Sequence, residues 1–416
     1  MIRMGTGRGA VRRSVTATVL AAALGLAACS ADPGSVAGGG AGEAPLTEGT
    51  PDRPGSPQLR VTTVAGGLDH PWDVGFLPDG RVLVTERDGR ISLLAGPTEG
   101  ATATPVEADL GDLLARGEGG LLGLAVHPDF ATNRRFVTCQ THVENGEPVD
   151  VRLVTWELAP DGGSARRVAD PLVGAIPVNP SGRHSGCRPT VAPDGALVVG
   201  TGDAADGSTP QDLTSLGGKT LRVDLATGGP APGNPFAGAP DPAQRLIWTY
   251  GHRNVQGVAV QPDTGQLYSA EHGPDVDDEV NRLRPGGNHG WDPAQGGTVG
   301  GYDESVPMTD LQRYPDAVPA AWSSGRPPEA ISGGAFVSGP QWGDLDGVLA
   351  VAALRGSKLL LMTIGPAGGV TEVRVPEVLD GEFGRLRAVR SAPDGALLVT
   401  TDNGGGDDVV LRVEPV

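Results

Sequence analysis

A short turn recurs along this chain and limits what it can fold into. Pro78-Asp79-Gly80 precedes Arg81-Val82-Leu83-Val84-Thr85, and Pro193-Asp194-Gly195 precedes Ala196-Leu197-Val198-Val199. Pro262-Asp263-Thr264-Gly265 precedes Gln266-Leu267-Tyr268-Ser269, and Pro393-Asp394-Gly395 precedes Ala396-Leu397-Leu398-Val399-Thr400. Proline presets φ, aspartate bonds its own backbone and glycine supplies a positive φ, so each is a turn feeding a strand. Asp88-Gly89 adds a type I′ hairpin signal before Ile91–Leu94. Weaker copies at His127-Pro128-Asp129 and near Trp342-Gly343-Asp344 bring the units to six, unevenly spaced, so long loops are inserted between them. Six four-stranded units closing on themselves make an all-β, six-bladed β-propeller. Ordinary turns in an irregular sandwich are the alternative that periodicity leaves open. Closure predicts that Leu59–Val64 pairs with Val409–Val413, which removes the free edges.

The ends of the chain read differently. Residues 1–28 open with Arg3, Arg8, Arg12 and Arg13, followed by a small apolar run too short and weak for a membrane span. That run ends in Leu26-Ala27-Ala28-Cys29, which resembles the lipobox of bacterial lipoproteins. The expectation is an exported protein, lipidated at Cys29 and held at the outer face of the cell membrane by that anchor alone. An ordinary secretory signal is the alternative. Residues 29–57 are rich in Ser, Gly, Ala, Pro and Asp without an apolar period, and read as a flexible linker. The folded domain is expected over 58–416. A net charge of −18 supplies no basic field for phosphates, which argues against nucleic acid as a partner.

Candidate chemistry starts at Ser181-Gly182-Arg183-His184-Ser185-Gly186-Cys187-Arg188. A strand pattern follows and ends in Gly200-Thr201-Gly202-Asp203, so an imidazole and a carboxylate flank one strand. Imidazole takes protons near neutral pH, and a carboxylate fixes its tautomer. For one of seven histidines taken alone, a surface residue without a task is the simpler reading.

Further segments change that reading. Gly117-Glu118-Gly119-Gly120-Leu121-Leu122-Gly123 with His127-Pro128-Asp129-Phe130, the His184 stretch, Gly251-His252-Arg253-Asn254-Val255-Gln256-Gly257, and Glu271-His272-Gly273-Pro274 with Asp277-Asp278-Glu279-Val280-Asn281 occur in one order. That order, across roughly residues 60–414, resembles the glucose/sorbosone dehydrogenase family, which includes the soluble glucose and aldose sugar dehydrogenases. The resemblance implies a six-bladed propeller that uses pyrroloquinoline quinone (PQQ) and Ca2+. It implies His184 as general base, Asp203 as the carboxylate orienting it, and Arg253 as a group stabilising charge on the quinone. Asn254, Gln256, His272, Arg385 and Arg387 correspond to cofactor neighbours, and Arg355 falls near another with its register open. The carbonyls of Gly273 and Pro274 correspond to ligands of the cofactor's calcium. Glu279 and the carbonyl of His289 correspond to ligands of a second calcium. Glu118 and His272 stand where well-studied members carry glutamine, which implies an altered substrate range.

Residue chemistry agrees with those roles. A flat tricarboxylate suits arginine forks, and calcium takes carbonyl and carboxylate oxygens. Arginines in surface ion pairs and a solvated acidic turn at 277–279 are the plain alternatives. With Cys29 assigned, Cys139 and Cys187 remain, and export makes a disulfide between them the expectation over two buried thiols. The expected function is oxidation of an aldose at its anomeric carbon to a lactone, with an external electron acceptor. A non-catalytic sugar-binding or signalling propeller and a calcium-dependent lactonase are the rival readings.

Overall fold

The computed structural model describes residues 56–416. The signal and lipobox expectations, and nearly all of the linker, lie outside the described residues. The described chain forms six four-stranded antiparallel sheets. A first strand, β1 (Leu59–Leu68), stands apart in sequence from the blade it completes. Blade one is β2 (Pro71–Phe76), β3 (Val82–Glu86), β4 (Arg90–Leu94) and β5 (Ala103–Val106). Blade two is β6 (Leu121–Val126), β7 (Arg135–Glu144), β8 (Glu147–Leu158) and β9 (Ala165–Ile176). Blade three is β10 (Pro189–Val191), β11 (Leu197–Gly200), β12 (Lys219–Val223) and β13 (Ile247–Tyr250). Blade four is β14 (Val255–Val260), β15 (Leu267–Glu271), β16 (Glu279–Arg282) and β17 (Trp322–Ser323). Blade five is β18 (Ile331–Phe336), β19 (Leu349–Ala353), β20 (Lys358–Ile364) and β21 (Val370–Arg374). Blade six is β22 (Leu386–Ser391), β23 (Leu397–Thr401), β24 (Asp408–Pro415) and β1.

The recurring turn is a repeated physical object. At each Pro-Asp-Gly, a backbone N–H two residues before the aspartate donates to the carbonyl two residues after it: Leu77 to Arg81 at 2.8 Å, Ala192 to Ala196 at 2.8 Å and Ala392 to Ala396 at 2.7 Å. In each, the aspartate Oδ1 also accepts the N–H two residues on, from Arg81, Ala196 and Ala396. Gly80, Gly195 and Gly395 take φ of 89°, 83° and 88°, which side chains other than glycine's avoid. All six turns, weak copies included, lie between the first and second strands of a blade. The turn therefore fixes how the first two strands of a blade pair.

Closure is made by β1 against β24, with Leu59 opposite Pro415, Val61 opposite Val413 and Thr63 opposite Leu411. First strands of successive blades touch in sequence around the ring, from β2 to β22 and back. Apolar side chains fill the gaps between blades. Leu122, Cys139, Val151 and Leu153 of blade two meet Leu197, Val199 and Leu221 of blade three. Truncating such a leucine to alanine costs about 2–5 kcal/mol.

A buried ion cluster ties several blades together. Asp73 on β2 is fully buried and accepts Arg390 Nε at 2.9 Å, Arg390 Nη2 at 2.6 Å and the Leu124 N–H at 3.1 Å. Arg188 Nη1 lies 3.1 Å from the same carboxylate. Burial alone would raise the Asp73 carboxyl, but Arg390 and Arg188 hold it below its ordinary range. Removing one partner of such a buried set typically costs about 3–5 kcal/mol, because a charge is left uncompensated.

Candidate active site

The loop from β9 to β10 carries His184, which is 6% exposed and has a left-handed φ of 50°. Its flank is pinned from two sides. The Gly186 N–H donates to Asn254 Oδ1 at 3.0 Å, and Cys187 is disulfide-bonded to Cys139 on β7. Asp203 follows β11. A Cβ on the preceding Gly202 would stand 1.8 Å from the His184 carbonyl oxygen, so glycine is what lets the two segments meet.

His184 Nδ1 lies 2.7 Å from Asp203 Oδ1. The carboxylate, itself fully buried, also accepts the Ala205 N–H at 2.8 Å, Trp291 Nε1 at 2.9 Å and the Tyr302 hydroxyl at 2.6 Å. Burial, then the Asp203 charge, raises the Tyr302 phenol, so it stays a donor. Asp203 accepting from Nδ1–H leaves His184 Nε2 as the basic nitrogen; the contacts to the ring from Asp203 and Tyr302 both fall on Nδ1, and Nε2 makes no hydrogen bond among the described residues.

Two adjoining cavities share Glu118 and His272. One, of about 230 Å³, is lined by His184, Arg253, Asn254, Gly273, Pro274 and Glu304 among others. The other, of about 340 Å³, is lined by His70, Gln256, Arg385, Arg387 and Asp402 among others. Arg253 and Arg387 thus stand at separate parts of one recess, and the Nε of each is buried without a partner among the described residues. The Arg387 guanidinium lies 3.7 Å from the centre of the Trp72 ring and donates to Asp402 Oδ2 at 2.5 Å. Arg385 bonds the Asp402 carbonyl and keeps an exposed head. Glu118 accepts Gln256 Nε2 at 2.6 Å, Asn254 Nδ2 at 3.0 Å and the N–H groups of Ser185 and Gly186. Burial, then the Arg253 cation, pushes His272 down to about 3, so its ring is neutral.

Arg253 reaches outward as well. It donates to the His272 carbonyl at 2.9 Å and to Glu304 at 2.6 Å. Burial would raise Glu304, but Arg253 and Arg183 together keep it below its ordinary range.

Behind this recess lies a second acidic set. Glu271 and Glu279, opposite each other on β15 and β16, are both buried. Burial, then the Glu271 charge, raises Glu279 well above its ordinary value. Asn281 Nδ2 donates to both carboxylates, while its Oδ1 is buried without a partner among the described residues. His252 Nδ1 bonds Glu271 at 2.7 Å and its ring stacks on His289 at 4.4 Å. Both ring nitrogens of His289 lack partners among the described residues, and burial holds that ring well below its ordinary pKa. Near the first cavity, Asp278 accepts the N–H of Gly273 at 2.8 Å and that of Ala330 at 2.5 Å, which shapes the Gly273-Pro274 turn.

Thus His184, Asp203, Arg253, Asn254, Gln256, His272, Glu118, Gly273, Pro274, Arg385 and Arg387 come together. Arg355 does not. It sits on the exposed turn between β19 and β20, and its neighbour Leu354 reaches the cavity wall instead. Sequence reasoning passed over Tyr302, Trp291, Glu304, Glu271, Asp402 and His70. Glu271 stood within a segment already picked out and Trp291 two residues after His289, whereas Tyr302 and Glu304 lie in a long loop without periodicity.

The family model described as Glucose / Sorbosone dehydrogenase matches residues 68–412. The aldose sugar dehydrogenase YliI of Escherichia coli K12 is 31% identical over 363 residues, spanning 86% of this chain and 93% of its own. Two solved structures share the architecture. The PQQ-bound aldose sugar dehydrogenase of Streptomyces coelicolor is 32% identical, with a TM-score of 0.68 over 86% of this chain and 99% of its own. The apo-form of the soluble aldose sugar dehydrogenase of Escherichia coli is 29% identical, with a TM-score of 0.72 over 86% of this chain and 100% of its own.

Proposed function

The chain belongs to the glucose/sorbosone dehydrogenase family, and from that premise we propose that it is a PQQ- and calcium-dependent aldose dehydrogenase that oxidises the anomeric carbon to a lactone. PQQ, when bound, supplies the hydride acceptor. The recess suits it on two observations. Arginines stand at both parts of the joined cavities, and Arg253 Nε and Arg387 Nε are buried donors without a hydrogen-bond partner among the described residues. Carboxylates paired with arginine forks satisfy such donors. Calcium is suggested by the oxygen donors on offer. Among the described residues no donor reaches the Gly273 or Pro274 carbonyl, and the buried Glu271–Glu279 pair with the bare Asn281 Oδ1 is the hard-oxygen set a divalent ion takes.

The protein's own work is then to bind, orient and move a proton. Arg385 and Arg387 would hold carboxylates at one part of the recess. Asn254 and Gln256, fixed by Glu118, wall its middle. Arg253 would face developing negative charge beside His184. His184 Nε2 takes the proton from the anomeric hydroxyl, and Asp203 holds the ring in the required tautomer and stabilises the imidazolium that results. The observation carrying this reading is the His184–Asp203 pair, with Nε2 unpartnered among the described residues, in a cavity shared with Arg253. The product is a lactone, and an external acceptor takes the electrons.

The test is reconstitution. Purified protein given PQQ and Ca2+ should reduce an artificial dye in the presence of aldoses, and omission of either should abolish the rate. A protein that binds PQQ tightly yet reduces no dye with any aldose contradicts the reading.

A further inference from the structure

The mouth of the smaller cavity carries an ion cluster in which Arg253 has a part in the reaction as described, while Glu304 and Arg183 have none. Arg253 and Arg183 both donate to one oxygen of Glu304, Oε1, at 2.6 Å and 3.0 Å. Both hydrogen bonds fall on Oε1, and Oε2 accepts none among the described residues. Glu304 lines the same cavity as His184 and Arg253, and Asp275 adds an exposed carboxylate to that wall. Its placement is firm. Tyr302, two residues earlier, is anchored on Asp203 at 2.6 Å and lies 3.2 Å from His184 Nδ1. Arg183 sits over the Tyr302 ring at 6.0 Å.

We propose that Glu304 is a substrate-selecting residue that occupies the arginine pair at the mouth, offers its free oxygen to a sugar hydroxyl, and excludes acidic sugars. The inference rests on the sugar-oxidation reading of the same site. Two guanidiniums beside a general base form a fork for a ligand carboxylate. Here the chain's own carboxylate fills that fork. A uronic acid must displace Glu304 or place its charge against Glu304 and Asp275. A neutral aldose brings hydroxyl donors, and Oε2 accepts one of them without disturbing either arginine. Like charges set against each other at a binding surface are a common means of rejecting a wrong partner.

The experiment compares wild type with Glu304→Gln, which keeps the shape and removes the charge, and with Glu304→Asp, which keeps the charge. PQQ- and calcium-reconstituted protein is assayed for kcat/KM on glucose and on glucuronate. Binding of glucuronate to the unreconstituted protein is followed separately by saturation-transfer NMR. In Glu304→Gln the glucuronate-to-glucose ratio of kcat/KM should rise about tenfold or more. Saturation transfer to glucuronate should strengthen in that variant, while Glu304→Asp stays near wild type in both. A ratio within about twofold of wild type, with no gain in glucuronate binding, overturns the proposal. If reconstituted wild type oxidises no aldose, the dehydrogenase reading fails on that result, and the binding arm still decides the role of Glu304.

Discussion

His184 Nδ1 and Asp203 Oδ1 meet at 2.7 Å across 19 residues, from opposite ends of the first hairpin of blade three. The hairpin is short, and Gly202 lets its outgoing end pass under the His184 backbone. One carboxylate oxygen holds the ring, and the other is held by Trp291 and Tyr302. The orienting group is thus itself oriented by two side chains from a loop of blade four.

That arrangement orders the variants. Asp203→Asn removes the charge facing the imidazole and should lower kcat more than Tyr302→Phe, which removes one donor to a carboxylate. A hydrogen bond to a charged group contributes about 1.5–3 kcal/mol, so Tyr302→Phe should reduce kcat on the order of tenfold. Steady-state kinetics on reconstituted protein give the order, and a Tyr302→Phe enzyme slower than Asp203→Asn would contradict it.

The disulfide should matter for stability. Cys139 and Cys187 lie 48 residues apart, and closing a loop of that length stabilises by about 4 kcal/mol in the chain-entropy account. Denaturant unfolding of wild type and the Cys139→Ser/Cys187→Ser variant should differ by roughly that amount. Equal midpoints and slopes would show that the bridge contributes nothing.

Much of this was legible in the sequence, for identifiable reasons. A Pro-Asp-Gly turn is a local object whose hydrogen bonds involve neighbours only, so Pro193-Asp194-Gly195 announces its blade without help from elsewhere. Ring closure followed, because pairing Leu59–Val64 with Val409–Val413 removes the free edges of the ring. His184 and Arg253 stood in motifs with a family order. Tyr302 and Glu304 gave no such signal. They matter only because the loop around them returns to Asp203 and Arg253, 99 and 51 residues away. The Asp73–Arg188–Arg390 cluster was hidden for the same reason, since its partners come from blades one, three and six. Arg355, whose register the sequence left open, lines neither cavity. It falls near a basic cofactor residue of the family, and the tight turn after β19 leaves it exposed.

Asp402 gives a pH dependence. Burial alone would raise its carboxyl, but the Arg387 cation, helped by hydrogen bonds from Arg387 and His70, pulls it from 3.8 to about 2. The folded value lies below the unfolded one, so the stabilisation is present above about pH 4 and is lost as pH falls toward 2. It is on the order of 2 kcal/mol at neutral pH. The stability gap between wild type and Asp402→Asn should therefore shrink to about half between pH 7 and pH 3. A gap independent of pH would contradict the ion-pair account.

The acidic pair behind the recess makes a prediction about metal. Added Ca2+ should raise the Tm of the protein without PQQ, and a chelator should reverse the effect. Free ion at a hundred times Kd stabilises by about 2.7 kcal/mol. Glu279→Gln should abolish most of that shift. A Tm gain that survives in Glu279→Gln would place the ion elsewhere.

The proposed chemistry turns on His184 as the group that takes the proton in PQQ-dependent aldose oxidation. The direct measurement is kcat of reconstituted His184→Ala beside wild type, with PQQ affinity measured on the same samples. General-base assistance is typically worth about 10²–10⁴-fold, so kcat should fall by that order while PQQ binding holds, because Arg253, Arg385 and Arg387 remain. A His184→Ala enzyme that binds PQQ and turns over aldose at the wild-type rate would contradict the account.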